Sequence, residues 1–327
     1  MRILLEKNNQ TFSKSVELND IKKILSDGSG LVWLDLDSEP IETCRQIFDD
    51  IFHFDPLAID DALVETHVPK IDDWQDYLYL ALVGVDARKP LEDIDKAIEL
   101  DVFLGKQYIV TYHPEKINAI DTVWKNCQRD ARLLNRGSNY VLYQIMDELA
   151  NEYMKMIDIL DEKVEDIEDR VVERANPALL QEIFGIKRTL LNLRRIVAPQ
   201  REVLNKLSRG DFKVITQKER MYYRDVYDHL VRIHDITESL RDLVSGALDI
   251  YLSVVNNRLN DIMKTLTIIT TLFMPLSFIT GFFGMNYFAP VIDLQNWTGL
   301  PSFIIVMAIV FILPLGMYLW MRKRAWM

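Results

Sequence analysis

Apolar and polar positions change rhythm about two-fifths of the way along this chain. Up to about residue 135, short apolar runs alternate with short helical stretches, and turn-forming residues separate them. Leu31–Leu36, Tyr77–Val85, Glu99–Leu104 and Tyr108–Tyr112 read as strands, and Ile41–Phe52 and Pro56–Val64 as helices. Gly105-Lys106, lying between two apolar runs, predicts a tight hairpin turn. The alternation predicts an α/β or α+β domain over residues 1–135, with strand order left open.

From about Asn139 the pattern turns helical and stays so. Val141–Arg174 carries apolar residues at three- and four-residue spacing and is broken at Asn176-Pro177, where proline suits a first helical turn. Ala178–Leu207 predicts a second helix with a kink at Pro199, and Ser208-Arg209-Gly210-Asp211 a turn. A third helical pattern starts near Lys218 and meets no strong break before Pro275. Continued to Gly284 it would span about 100 Å at 1.5 Å per residue. A helix of that length needs partner helices, which points to an oligomer. Residues 136–264 thus form a long-helix region, and residues 265–327 differ again.

Between Lys264 and Arg322 the only charged residue is Asp293. Leu266–Phe283 is an uncharged run of 18 residues and Pro301–Met321 one of 21, each long enough to cross a hydrocarbon core of about 30 Å. Arg258 and Lys264 precede the first run, Arg322-Lys323-Arg324 follows the second, and the loop 284–300 has no Lys or Arg. The positive-inside rule then predicts two spans, both termini in the cytosol and the loop outside. Tyr287, Trp297, Trp320 and Trp326 fall where interfacial aromatics belong. A two-helix hairpin encloses no pore alone, so conduction would need several copies around one axis.

Charge sharpens this picture. Of the net −11, the residues up to Lys264 hold −13, from 35 basic and 48 acidic side chains. Such a body repels nucleic acid and gathers cations, which excludes a nucleic-acid partner. Met1–Leu5 is too short for a secretory signal and Glu6 interrupts it, so the N-terminal part is expected in the cytosol. Cys44 and Cys127 lie far apart without CxxC spacing and read as reduced structural thiols. His229 and His234 are five apart, on different helix faces, and His53, His67 and His113 have no recognisable partners. No P-loop, GxSxG or HExxH motif is present. No enzyme and no prosthetic group are expected.

The loop after the first span begins Gly284-Met285-Asn286. A GMN tripeptide directly after the first of two C-terminal spans resembles the CorA family of magnesium channels. The likeness extends through Asn260–Ile269, Phe273–Leu276, Tyr223–His229 and Leu248–Leu252. The resemblance implies a funnel-shaped homopentamer in an inner (plasma) membrane, its central pore lined by the first span and braced by the second. It implies that Gly284, Met285 and Asn286 form the outer selectivity filter, with Asn260, Met263, Leu266, Thr270, Met274, Ser277 and Gly281 facing the pore. From Met263 on, these residues follow steps of three and four, as one helix stripe does, and a packing face would show the same period. Thr270, Ser277 and Gly281 suit a wet channel, and Met and Leu nearer the cytosol suit a gate that closes by dewetting. Neutral amide oxygens at the mouth suit Mg²⁺, because they can accept hydrogen bonds from its tightly held waters without stripping them. Asn and Gly also favour a helix C-cap.

Asp225 matches the family position that contributes to a cytosolic Mg²⁺ site between subunits. The resemblance implies an acidic partner from the neighbouring N-terminal domain, with Asp86 the first candidate and Asp93 the next. Bound Mg²⁺ would then hold the ring closed, and its loss would favour the open state. Asp158, Asp161, Glu162, Glu165, Asp166, Glu168, Asp169 and Glu173, against two basic residues, form a solvated helix face or attract cations toward the pore. The outer loop departs from the family. It reads Tyr287–Asp293 in place of the Met-Pro-Glu of the magnesium branch, and it lacks the Gly-Gly stretch of the zinc relatives. Zn²⁺, Co²⁺ or Ni²⁺ transport therefore stays an alternative to Mg²⁺, as does a membrane-tethered scaffold without transport.

Overall fold

The computed structural model describes residues 1–7, 10–12, 18–28, 30–64, 68–88, 97–173, 175–210, 212–285 and 299–323. Packing divides the chain into two compact units, Met1–Leu248 and Asp249–Met327.

The first unit opens with β1 (Arg2–Lys7), β2 (Gln10–Phe12), α1 (Leu18–Asp27) and β3 (Leu31–Asp37). Next come α2 (Ile41–Ile47), one π-helical turn at Phe48–Phe52, α3 (Pro56–Leu63), β4 (Lys70–Asp73), β5 (Tyr77–Gly84), β6 (Ile98–Gly105) and β7 (Tyr108–His113). The strands form one mixed sheet in the order β2-β1-β3-β7-β6-β5-β4. Among the described strands only β3 and β7 pair in parallel, with Asp35 opposite Thr111. β6 and β7 form the expected hairpin, with Lys106-Gln107 as its two-residue connection. Gly105 closes β6 because a Cβ there would meet the Tyr108 ring at 2.4 Å. β4, reading Lys-Ile-Asp-Asp, is an edge strand, and its charges suit that exposed position.

One sheet face packs against α1–α3 through an aromatic core in which Phe54 stacks on Phe103 with centroids 4.1 Å apart. The opposite face meets α4 (Asn118–Arg129), α6 (Ser138–Glu173) and α7 (Pro177–Arg209), with the four-residue α5 (Ala131–Leu134) between α4 and α6. Trp33 of β3 lies edge-on to Trp124 of α4 at 4.8 Å. α7 starts at Asn176, whose side chain accepts from the Leu179 N–H at 2.8 Å, with Pro177 in the first turn. It runs as one helix through Pro199, where the sequence predicts a kink.

α8 (Arg220–Gly284) is a single helix of 65 residues. Its part within the first unit buries Tyr223, Val226, Leu230, Ile233, Thr237, Leu240, Val244 and Ala247. These positions alternate steps of three and four, the 3.5-residue repeat of a helix packed along its length on other helices. In the second unit, α8 is followed by α9 (Leu300–Lys323). Both α8 and α9 contain a stretch long and apolar enough to cross a membrane, and none of either stretch is buried. An α/β domain, long helices and two apolar C-terminal helices make up the fold class expected from the sequence.

Candidate functional site

Helical periodicity places Asn260, Met263, Leu266, Thr270, Met274, Ser277 and Gly281 within an arc of about 120° on α8. All seven are exposed in the single chain. The half-buried positions of the same stretch, Ile268, Thr271, Leu272, Pro275, Leu276 and Ile279, lie on the opposite side. On α9 the less exposed positions, Ser302, Val306, Val310, Pro314, Met317 and Met321, also form one stripe. Each helix thus has one partly covered side, and α8 turns its candidate arc outward.

α8 ends on Gly284, and the Met285 N–H bonds back to the Phe282 carbonyl at 3.4 Å. Met285 is half exposed. Asn286, Tyr287 and Trp297 lie outside the described residues, as do Asp93, Arg324 and Trp326. Arg322 and Lys323 close the last turn of α9.

In the first unit Asp225 is exposed on α8, close to Asp147 of α6. The Asp147 carboxyl is raised above the ordinary carboxylate range by burial and by repulsion from Asp225, against the attraction of His229. His229 Nδ1 lies 3.4 Å from Asp147 Oδ1. Asp147, Asp225 and His229 therefore share one surface. Sequence reasoning missed Asp147 and His229; the four-residue step from Asp225 to His229 was the available signal, and nothing local marked Asp147.

Asp86 follows β5 and is half-buried. Both its oxygens are engaged by Arg88, at 3.0 Å from Nε and 3.2 Å from Nη2. The hydrogen bond from Arg88 holds the Asp86 carboxyl below its usual range. As a cation ligand Asp86 would first have to release this guanidinium. Among the described residues, no three His, Cys, Asp or Glu side chains are arranged to hold a metal ion within one chain.

His113, without a recognisable partner in the sequence, is buried in β7 with Nε2 3.2 Å from Asp35 Oδ1. Arg2 reaches the same carboxylate at 2.6 Å and Asp121 at 2.7 Å. Centred on the buried Asp35 and His113 and tying together β1, β3, β7 and α4, this network reads as structural.

A family model described as CorA-like Mg²⁺ transporter protein matches residues 28–323. The chain belongs to this family. The family is one of divalent metal ion transporters of membranes. A cobalt/magnesium transport protein CorA of Thermotoga maritima is 30% identical over 318 residues, covering 96% of this chain and 89% of that one. A zinc transport protein ZntB of Yersinia enterocolitica is 26% identical, covering 83% of this chain and 81% of its own length. The complete CorA magnesium transporter structure from Methanocaldococcus jannaschii superposes with a TM-score of 0.84 at 22% identity. That alignment covers 100% of this chain and 99% of the other, and it shows the CorA fold from end to end.

Proposed function

We propose that five copies of this chain surround a pore lined by α8 and pass Mg²⁺ down its electrochemical gradient. The observation that carries the reading is α8 itself. It is one unbroken helix from the cytosolic unit to Gly284 of the GMN triplet, with seven candidate residues on one exposed arc. Such an arc, which sets Asn260, Thr270 and Ser277 among apolar and small residues, suits a ring of helices around water. Arg258 and Lys264, just before the apolar stretch of α8, and Arg322 and Lys323, in the last turn of α9, support cytosolic termini and an outer loop at 284–300.

In this reading Asn286 amides at the outer mouth accept hydrogen bonds from the waters of hydrated Mg²⁺, which the ion sheds reluctantly. Met263 and Leu266 form the apolar constriction nearer the cytosol. Asp225, facing acidic groups of a neighbouring copy such as Asp86, gathers cytosolic Mg²⁺; its binding holds the ring closed, and its loss frees the gate. The proximity of Asp225 to Asp147 supports an acidic spot where a divalent cation relieves repulsion.

Zinc transport is the second reading, favoured by the likeness to ZntB. A membrane-tethered scaffold that conducts nothing is the third. Purified protein in liposomes, tested with Mg²⁺, Co²⁺, Ni²⁺ and Zn²⁺ with and without a proton gradient, separates all three. Mg²⁺ uptake without a proton gradient is the expected result. Zn²⁺ uptake alone selects the second reading, and no uptake of any ion selects the third.

A further inference from the structure

Four threonines in and just before the apolar stretch of α8 donate their hydroxyl protons to the backbone one turn back. Thr265 bonds to the Asp261 carbonyl at 2.9 Å, Thr267 to Met263 at 2.8 Å, Thr270 to Leu266 at 2.9 Å and Thr280 to Leu276 at 2.9 Å. An unpaired donor in a membrane core is costly, and this bond satisfies it without help from another helix. The hydroxyl oxygen retains acceptor capacity. A threonine held this way offers its surroundings an acceptor and a methyl group, with its donor already used.

The four do not share one position around the helix. Thr270 lies near the centre of the candidate arc, Thr267 toward its edge, and Thr265 and Thr280 outside it. Along the axis Thr270 sits about 6 Å from Leu266 on one side and from Met274 on the other. Those two neighbours are apolar and are 56% and 66% exposed in the single chain. A hydrated cation passing them would find no acceptor for its water protons, and a narrow apolar stretch of that kind tends to dewet.

We propose that Thr270 is the acceptor ring that keeps this stretch wet and sets the rate at which hydrated divalent cations cross it. The proposal rests on the pore reading above and adds a specific role for one hydroxyl. Because its donor is committed to Leu266, the oxygen faces the ion's waters as an acceptor, the polarity a cation's shell requires. A hydroxyl free to donate would serve anions and cations alike.

The test is Mg²⁺ uptake by proteoliposomes carrying wild type, Thr270→Val, Thr270→Ala, Thr270→Ser or Asn286→Ala, each first checked for assembly by size-exclusion chromatography. Thr270→Val keeps the shape and removes one oxygen from every copy, and its uptake should fall about tenfold or more, since a single charge-assisted hydrogen bond is already worth about that factor. Thr270→Ala should fall too, although it widens the passage, and Thr270→Ser should lie well above both. Uptake that is unchanged in Thr270→Val, or that rises in Thr270→Ala, while Asn286→Ala lowers it about tenfold or more, overturns the Thr270 role and leaves the pore reading standing. Equal uptake by every variant and by empty liposomes removes both.

Discussion

The side-chain oxygen of Gln200 accepts a hydrogen bond from the backbone N–H of Val83 at 3.0 Å, joining helix α7 to strand β5. β4 pairs with β5 only as far as Ala81, so among the described residues the outer edge at Val83 has no strand neighbour. Gln200 takes the N–H, and the Tyr153 hydroxyl of α6 donates to the Val83 carbonyl. Two helix side chains thus complete the sheet where its edge strand stops, which explains a buried glutamine in a mostly apolar helix seam.

Replacing Gln200 with alanine leaves that N–H buried and unpaired. The expected cost is about 1–3 kcal/mol. Thermal melting of the full-length protein in detergent should show a lowered Tm. An unchanged Tm would mean that the edge has another partner.

The Asp35–His113 pair makes stability pH-dependent. Burial opposes the charge on His113, but its hydrogen bond to Asp35 and the attraction of that carboxylate raise it above its ordinary value. Its contribution is therefore fully present below the unfolded value of about 6.5 and is lost as pH rises through the folded value. Asp35 is buried too, but His113, Arg2 and Thr111 hold it below its ordinary value, so its share is lost only as pH falls through that depressed value. Melting curves between pH 6 and 9 should show an alkaline decline in wild type that His113→Gln lacks. Parallel curves would contradict the assignment.

Neutralising Asp225 should weaken inhibition by internal Mg²⁺. In proteoliposomes loaded with graded Mg²⁺, Asp225→Asn should need a higher concentration for the same block, with Asp86→Asn displaced in the same direction if it completes the site. Identical inhibition curves for wild type and Asp225→Asn would remove Asp225 from regulation.

The long helices and the apolar C-terminal pair were legible because their periodicity holds over many turns. The central strands showed as apolar runs, and β5 and β6 are buried throughout. β1 escaped notice because Arg2–Lys7 carries only the short run Ile3-Leu4-Leu5 between charges, and pairing with β3 makes it a strand. β4 is too polar to read as a strand, a property of edges. Asp35 and His113 are 78 residues apart and meet only through the parallel register of β3 and β7. Asp147 and Asp225 likewise come together through helix packing that no local motif announces. The candidate pore positions were legible as a stripe, while periodicity alone does not say what that stripe faces.

In the proposed channel, ions pass the GMN mouth. The most direct measurement is initial Mg²⁺ uptake by liposomes containing wild type or Asn286→Ala at equal protein density, with empty liposomes as baseline. Rapid uptake by wild type and a fall of about tenfold or more in the variant are expected, as the amides that hold the ion's waters are lost. Equal uptake by both proteins, or none above baseline in either, would contradict the proposal.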